Sequence, residues 1–312
     1  MHDMKYLPVM AFLALGVIWG SNFVYMKLAA ELISPAQIVL LRVASGLLPI
    51  ALYAYFKGGL KLAHLKHSRH FLVMSLLATV IYYYGFAKGS SLLPSGVAGA
   101  LSGTIPVFAL LMGMLLLSGE PVSIKRVLGL VAGFSGILLI ARPFSDDVAA
   151  TNLEGVVYMI SGSLSVGASF IYARKYIVPL NISSAALTTY QLGLSLLILC
   201  IITDYNGIAN INDDLHAMAG VLLGLGLLGT GLACLIYYYL IDQWGAVSAS
   251  SVTYIPPLVA LLIGSTLMGE DIGAIEYLAT GLIFAAVLLI NQKTRNTVAE
   301  PMPGKRLVPE DL

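Results

Sequence analysis

A chain of 312 residues that is 58% hydrophobic and only 11% charged lacks the polar surface of a water-soluble domain, where roughly a quarter of residues are charged. Its formal net charge of +1 hides an uneven distribution, and no basic tract points to nucleic acid. Cys200 and Cys234, the only cysteines, both sit in apolar runs, which excludes a disulfide framework or a thiolate metal site. What remains is an all-α integral membrane protein whose first partner is the lipid bilayer.

Apolar runs of about 20 residues, enough to cross a hydrocarbon core of about 30 Å, recur along the chain and predict ten transmembrane helices. The first, 8 to 28, follows Lys5; its length and the absence of a small-x-small cleavage site make it a helix rather than a leader. Trp19, Ser21 and Asn22 lie near its middle, where lipid offers no hydrogen bonds and a polar side chain must face protein or a wet cavity. Asn22 is the best single candidate to touch a substrate, with an interhelical hydrogen bond as its alternative role. The second span, 36 to 56, carries Arg42, the one basic residue well inside a span. A charge there is costly unless it snorkels or pairs, so Arg42 either attracts a substrate carboxylate or braces helices.

The third and fourth spans, 71 to 89 and 95 to 117, are divided by the stretch GSSLLP ending at Pro94, which favours a turn. Spans five to ten cover 125 to 141, 154 to 173, 185 to 203, 217 to 240, 246 to 268 and 274 to 291. Tyr82-Tyr83-Tyr84 and Tyr237-Tyr238-Tyr239 fall in the last turns of the third and eighth spans. Interfacial tyrosine belts are common, yet three successive side chains cover about 200° of a helix, so each triplet sends at least one phenol inward. Together with Trp19 and Tyr254, the Tyr82, Tyr83, Tyr237 and Tyr238 rings predict an aromatic-lined pocket. Pro106 and the Pro256-Pro257 pair fall near the centres of the fourth and ninth spans, where a missing amide and a ring clash free backbone carbonyls that can bind or gate. Ser102, Thr104, Thr253 and Tyr254 lie within a turn of those breaks and are candidates for cavity lining. The tail, 292 to 312, holds prolines among charges and reads as a disordered cytoplasmic end.

Sorting Lys and Arg by connection places thirteen on one side (Lys5, Lys57, Lys61, Lys66, Arg69, Lys125, Arg126, Arg174, Lys175, Lys293, Arg295, Lys305, Arg306) against Lys27, Lys88 and Arg142 on the other. The positive-inside rule then puts both termini in the cytoplasm, as in a bacterial inner membrane. His64, His67 and His70 share a Lys-rich loop and read as solvated rather than metal-binding. Glu120 and Glu270 end their helices and shape the following turns. Glu31, Glu154, Asp204 and Asp242 also sit at span ends, so no carboxylate lies deep enough to relay protons. The chain contains no H-E-x-x-H, G-x-S-x-G or G-x-x-x-x-G-K-[ST] motif, so no enzyme and no cofactor is expected.

The chain also repeats itself. At a shift of 150 residues, Val97 meets Val247, Ile105-Pro106 meets Ile255-Pro256, and Gly119-Glu120 meets Gly269-Glu270. Upstream, Gly20, Phe23, Tyr25 and Lys27 fall on Gly167, Phe170, Tyr172 and Arg174, while Ser34 and Arg42 fall on Ser183 and Gln191. Downstream, Gly129 and Gly133 fall on Gly281 and Ala285. Two halves, 8–142 and 154–291, each hold five spans; five is odd, so the second half enters the membrane from the opposite face. Such inverted repeats have two mirror-related conformations of similar energy, the basis of alternating access.

These residues, with Trp19-Gly20-Ser21-Asn22-Phe23 and Arg42 in the first two helices and Pro106 and Gly119-Glu120 around the fourth, make the chain similar to the drug/metabolite transporter superfamily, of the ten-helix type with two EamA domains, over about residues 9 to 291. The resemblance implies a central cavity lined by the first four helices of each half, with the fifth and tenth outside it, and export of amino acids or related metabolites. Trp19 faces Val166 and Arg42 faces Gln191 across the repeat, so the first-half residues are the expected source of asymmetry toward substrate. The function expected is secondary transport of a small-molecule substrate, exporting a metabolite such as an amino acid or related zwitterion. The alternatives are an importer or antiporter of another metabolite class, or a membrane scaffold or sensor.

Overall fold

The computed structural model describes residues 6–116, 124–141 and 152–291. Ten helical rods lie among them: α1 (Leu7–Ala30), α2 (Pro35–Phe56), α3 (Leu62–Leu92), α4 (Ser95–Leu116), α5 (Ile124–Ala141), α6 (Leu153–Leu180), α7 (Ser184–Ile202), α8 (Leu215–Leu240), α9 (Val252–Thr266) and α10 (Ala274–Asn291). Seven are long and apolar enough to cross a bilayer, and α9 and α10 are shorter apolar helices. The amino terminus, the loops holding Glu120 and Arg142, and the tail expected at 292–312 lie outside the described residues.

Local sequence explains the boundaries. Ser34 opens α2 with a capping box, its hydroxyl accepting from the Gln37 amide while the Gln37 side chain accepts from the Ser34 amide, and Pro35 occupies the first helical turn, where its missing N–H costs nothing. Pro94 ends α3, which runs to Leu92, past the expected span end at 89, before Leu93 turns extended. At the equivalent place in the second half stand Gln243 and Trp244, with no proline, and the helical backbone runs on to Ser250 before a 3₁₀ turn at Ser251–Tyr254. The chain nonetheless reverses there. Tyr237 packs on Trp19 and Trp244 on Phe12, after which Ile255 meets Gly16 and Val259 meets Gly20, so the contacts descend α1 and then climb it again.

The helical backbone is interrupted just before each of the predicted proline breaks. Pro106 lies in the first turn of Ile105–Leu116, and Pro256 and Pro257 lie in the first turn of Ile255–Thr266. The irregular backbone is upstream of each, at Gly103–Thr104 and at Ser251–Tyr254. The prolines therefore start helical segments rather than kink one in mid-course, because only there does the missing amide go unneeded. Two carbonyls in the turn before the first break take side-chain bonds: the Ser102 hydroxyl donates to Gly99 O at 2.6 Å and the Thr104 hydroxyl to Leu101 O at 2.6 Å.

Helices of one half pack chiefly on helices of the other, and the pairing is preserved when the halves are exchanged. α1 lies on α8 and α9, and its repeat mate α6 lies on α3 and α4; α2 lies on α8, and α7 lies on α3. Repeat mates also pair directly and run antiparallel. Gly96 meets Leu261 and Gly103 meets Pro257 across α4 and α9; Gly133 meets Ala286 and Gly136 meets Ala279 across α5 and α10; Gly59 after α2 meets Ser183 before α7, while Gln37 at the other end of α2 bonds the Asp204 and Asn206 carbonyls beyond α7. Mates related by an axis along the membrane normal would run parallel, so the two five-helix repeats are inverted.

At one end of the bundle Glu270 ties three helices together. Its carboxylate accepts from Lys27 Nζ at 2.8 Å, from the Ser95 amide at 2.7 Å, from the Ser95 hydroxyl at 3.0 Å and from the Gly96 amide at 3.1 Å, with the side chain only 7% exposed. It thereby joins the end of α1 to the open amides that begin α4, where the helix dipole also favours an anion. Burial alone raises this carboxyl, but the hydrogen bonds from Lys27 and from the Ser95 and Gly96 amides outweigh it and hold it below its ordinary value of 4.5.

Two predictions follow from packing and charge. A Cβ on Gly99 would stand 2.1 Å from Ala260 Cβ, whereas one on Gly193 meets nothing within 4 Å; Gly99→Val should lower the unfolding midpoint in detergent, an overpacking cost of about 1–3 kcal/mol, while Gly193→Ala leaves it unchanged or raised. Because the Glu270 carboxyl is depressed on folding, its stabilisation is complete above the ordinary carboxylate range and is lost as pH falls through the depressed value. Glu270→Gln should cost about 1–3 kcal/mol at pH 7 and should flatten the acid limb of a stability profile measured by thermal unfolding.

Candidate functional site

The polar centre of the bundle is built where α2 and α7 meet two stretches of widened helix. Residues Gly220–Leu232 of α8 and Leu76–Val80 of α3 are π-helical, a form found mostly as short insertions and often at functional sites. The α8 stretch is glycine-rich, which lets α2 and α1 approach its backbone closely: a Cβ on Gly226 would overlap Ser45, and one on Gly229 would stand 2.5 Å from Asn22 Oδ1. In the same stretch the Thr230 hydroxyl donates to Leu225 O, five residues back, at 2.9 Å.

Arg42 points into this region. Its Nε donates to Thr230 Oγ1 at 3.0 Å, and its guanidinium carbon lies 3.9 Å from the centroid of the Tyr83 ring. The residue is only 5% exposed, yet no carboxylate among the described residues pairs with it, and its terminal amino groups have no hydrogen-bond acceptor among them. Arg42 thus braces α2 against α8 and α3 and keeps unspent donors. Asn22 presents the complementary lack: its Oδ1 is buried and receives no hydrogen bond from any described residue.

Aromatic rings extend from Tyr83. Tyr82 lies 4.9 Å from Tyr83 and 4.6 Å from Phe86 between centroids, and Phe86 reaches Phe23 on α1 at 5.9 Å. The third helix runs on to Leu92, so Tyr82 and Tyr83 stand two to three turns from its end, within the bundle rather than in a last-turn belt. Trp19 joins the second triplet through Tyr237 at 5.8 Å. Tyr238 takes a different role: its hydroxyl bonds Thr188 and donates to Ser184 O at 3.0 Å, pinning α8 to the first turn of α7.

The other sequence candidates gather elsewhere. Pro106, Thr253, Tyr254 and Pro257 line a small void with Thr280 and Phe284 of α10, and Tyr254 packs edge-on to Phe284 at 6.1 Å. Ser102, on the same helix as Pro106, satisfies its hydroxyl within its own turn. These residues and Pro256 belong to the crossing of α4 and α9, where Gly103 packs on Pro257, and not to the Arg42 centre. Among the described residues no group of histidine, cysteine and carboxylate side chains is arranged to hold a metal.

Sequence reasoning missed three residues of this centre. Thr230 is a lone hydroxyl in a run of Gly and Leu. Thr79 and Gln191 form their own bond, Gln191 Nε2 to Thr79 Oγ1 at 2.8 Å. The available signal was the repeat itself, which already set Gln191 opposite Arg42.

Comparison with known proteins agrees with this architecture. The EamA-like transporter family matches residues 7–142 and 153–292. The chain is 28% identical over 296 residues to an Escherichia coli protein described as the uncharacterized inner membrane transporter YedA, covering 93% of this chain and 92% of that one. It is 22% identical to the uncharacterized transporter YoaV of Bacillus subtilis, over 92% of this chain and 97% of that one. A solved crystal structure superposes with a TM-score of 0.58 at 14% identity, covering 93% of this chain and 99% of the other, a likeness of fold alone. The chain is a multi-pass membrane transporter and belongs to the EamA-like transporter family of the drug/metabolite transporter superfamily.

Proposed function

We propose that the protein carries small solutes bearing one carboxylate, amino acids or related zwitterions among them, outward across a bacterial inner membrane. The two halves, 8–142 and 154–291, rock about the Arg42 centre in alternating access. The observation that carries this reading is the buried, carboxylate-free guanidinium of Arg42. Placing an arginine at the middle of a membrane helix costs about 2.5–3.5 kcal/mol on insertion scales. A desolvated cation–π contact of about 2 kcal/mol and one charge-assisted bond to Thr230 offset this, but they leave the donors that suit a carboxylate in a two-pronged pair. Asn22 Oδ1 supplies an acceptor for a substrate ammonium or amide N–H. A solute with two phosphates would call for several cations, and Arg42 stands alone at this depth.

Glu270, the carboxylate with the most complete set of partners, is already ionised by Lys27 and two backbone amides, which favours facilitated export or exchange over proton coupling through a carboxylate. The distribution of Lys and Arg supports cytoplasmic termini.

In proteoliposomes loaded with a metabolite panel, efflux should be selective for single-carboxylate solutes and should not follow an imposed pH gradient. A flux that vanishes when the gradient collapses would overturn the coupling reading. Arg42→Gln should weaken the carboxylate solute roughly tenfold to a hundredfold, the loss of one charge-assisted contact of about 1.5–3 kcal/mol, while purifying as a folded protein. Cysteines placed at Lys57 and Asn210 should label from the cytoplasmic and outer faces respectively; the reverse pattern would refute the orientation.

A further inference from the structure

The Arg42 contact has a counterpart that turns one anchor into two. Gln191 is the repeat mate of Arg42, and its side-chain amide donates to Thr79 at 2.8 Å as the Arg42 Nε donates to Thr230 at 3.0 Å. Both threonines lie in π-helical stretches, Leu76–Val80 of α3 and Gly220–Leu232 of α8. The same device is thus built twice: a long donor side chain on the second helix of one half bonds a threonine on the widened third helix of the other half. One copy is a cation and the other is neutral.

The two copies also converge. The guanidinium of Arg42 lies over Tyr83, and the amide of Gln191 sits on Thr79, four residues earlier on the same helix. Thr79 lies near the end of the π-helical stretch and Tyr83 stands in the first turn of the α-helical segment that follows it. The Gln191 amide donates to Thr79, but its Oε1 accepts no hydrogen bond from any described residue. A cation and an amide acceptor thus both reach α3, at Tyr83 and at Thr79.

Resting on the carboxylate reading above, we propose that Gln191 is a second, specificity-determining contact for the transported solute. It receives the solute's uncharged or N–H-bearing end while Arg42 holds the carboxylate. The inverted symmetry makes the two positions interchangeable in geometry but not in charge, so the Arg/Gln difference sets which end of the solute each half reads. A glutamine that merely braces α7 against α3 would influence stability and leave selectivity alone.

The test takes the carboxylate solute that the wild-type protein moves fastest in proteoliposomes and the matching carboxamide, and measures the transport ratio of the two, with the unfolding midpoint as a check on folding. Arg42→Gln should lower the ratio at least tenfold. The exchanged variant, Arg42→Gln with Gln191→Arg, should recover most of that loss because the cation returns to the same centre from the other half. Gln191→Glu, with Arg42 intact, should lower the ratio at least tenfold by setting an anion on the same helix that the guanidinium packs against. If Arg42→Gln leaves the ratio unchanged, or if the wild type moves no carboxylate of the panel, the Arg42 reading itself falls. If Arg42→Gln lowers the ratio but a folded exchanged variant stays equally low, or Gln191→Glu leaves the ratio at the wild-type value, the assignment of Gln191 is overturned while Arg42 stands. Should the exchanged variant not fold, Gln191→Glu alone decides.

Discussion

A bilayer interior offers polar groups nothing to bond, and that constraint orders the whole molecule. Each polar side chain held at depth must find its partner within the chain, and the described residues show how thoroughly this is met. Ser45, Ser75, Ser102, Thr104, Ser169, Thr189 and Ser195 all return their hydroxyls to carbonyls of their own helices. The buried hydroxyls of Ser90, Ser163 and Thr203 lack a partner among the described residues, as does the Asn22 carbonyl oxygen, and two of the incomplete residues stand together. Arg42 has a charge with no anion, and Asn22 has an acceptor with no donor. Both touch the same stretch of α8, at Thr230 and Gly229.

The same constraint shapes the pairing of the halves. Lipid tails are as apolar as leucine side chains, so helices associate through close van der Waals contact and small residues at the crossings. Glycine allows several such close approaches: Gly99 at Ala260, Gly136 at Ala279, Gly85 at the Tyr158 carbonyl. Each joins helices of different halves, so neither half buries its own surface alone. A movement that opened one end of the bundle would have to shift several such crossings together, which favours rigid rocking over the bending of single helices.

Much of this was legible in the sequence. Hydropathy gave the ten spans because crossing length is set by the bilayer, and the Ile105-Pro106 and Ile255-Pro256 correspondence exposed the duplication. The odd number of spans per half then forced the inversion, which the antiparallel pairs α4 with α9 and α5 with α10 display directly. Arg42 and Asn22 stood out because polar residues are rare at that depth. The errors have physical causes too. Hydropathy set the prolines inside the fourth and ninth spans but could not resolve that each opens the segment after an interruption, at Gly103–Thr104 and at Ser251–Tyr254. Ser102 and Tyr254 lie near those breaks in sequence, but neighbours within a turn cover most of a helix's circumference, and Tyr254 points toward Phe284. Thr79 and Thr230 carry no local mark, since a π-helical widening depends on what packs beside it.

The departure from symmetry is as telling as the symmetry. Exact two-fold equivalence would place a cation in each half, and a second buried guanidinium would double the desolvation cost. Replacing one by glutamine keeps the bond to threonine and removes the charge. The repeat can thus preserve its mechanics, with Gln191 holding α7 to α3 as Arg42 holds α2 to α8, while the centre carries a single positive charge. A carrier must release what it binds, and in the proposed carboxylate reading one cation with a neutral amide would attract a monoanion without trapping it.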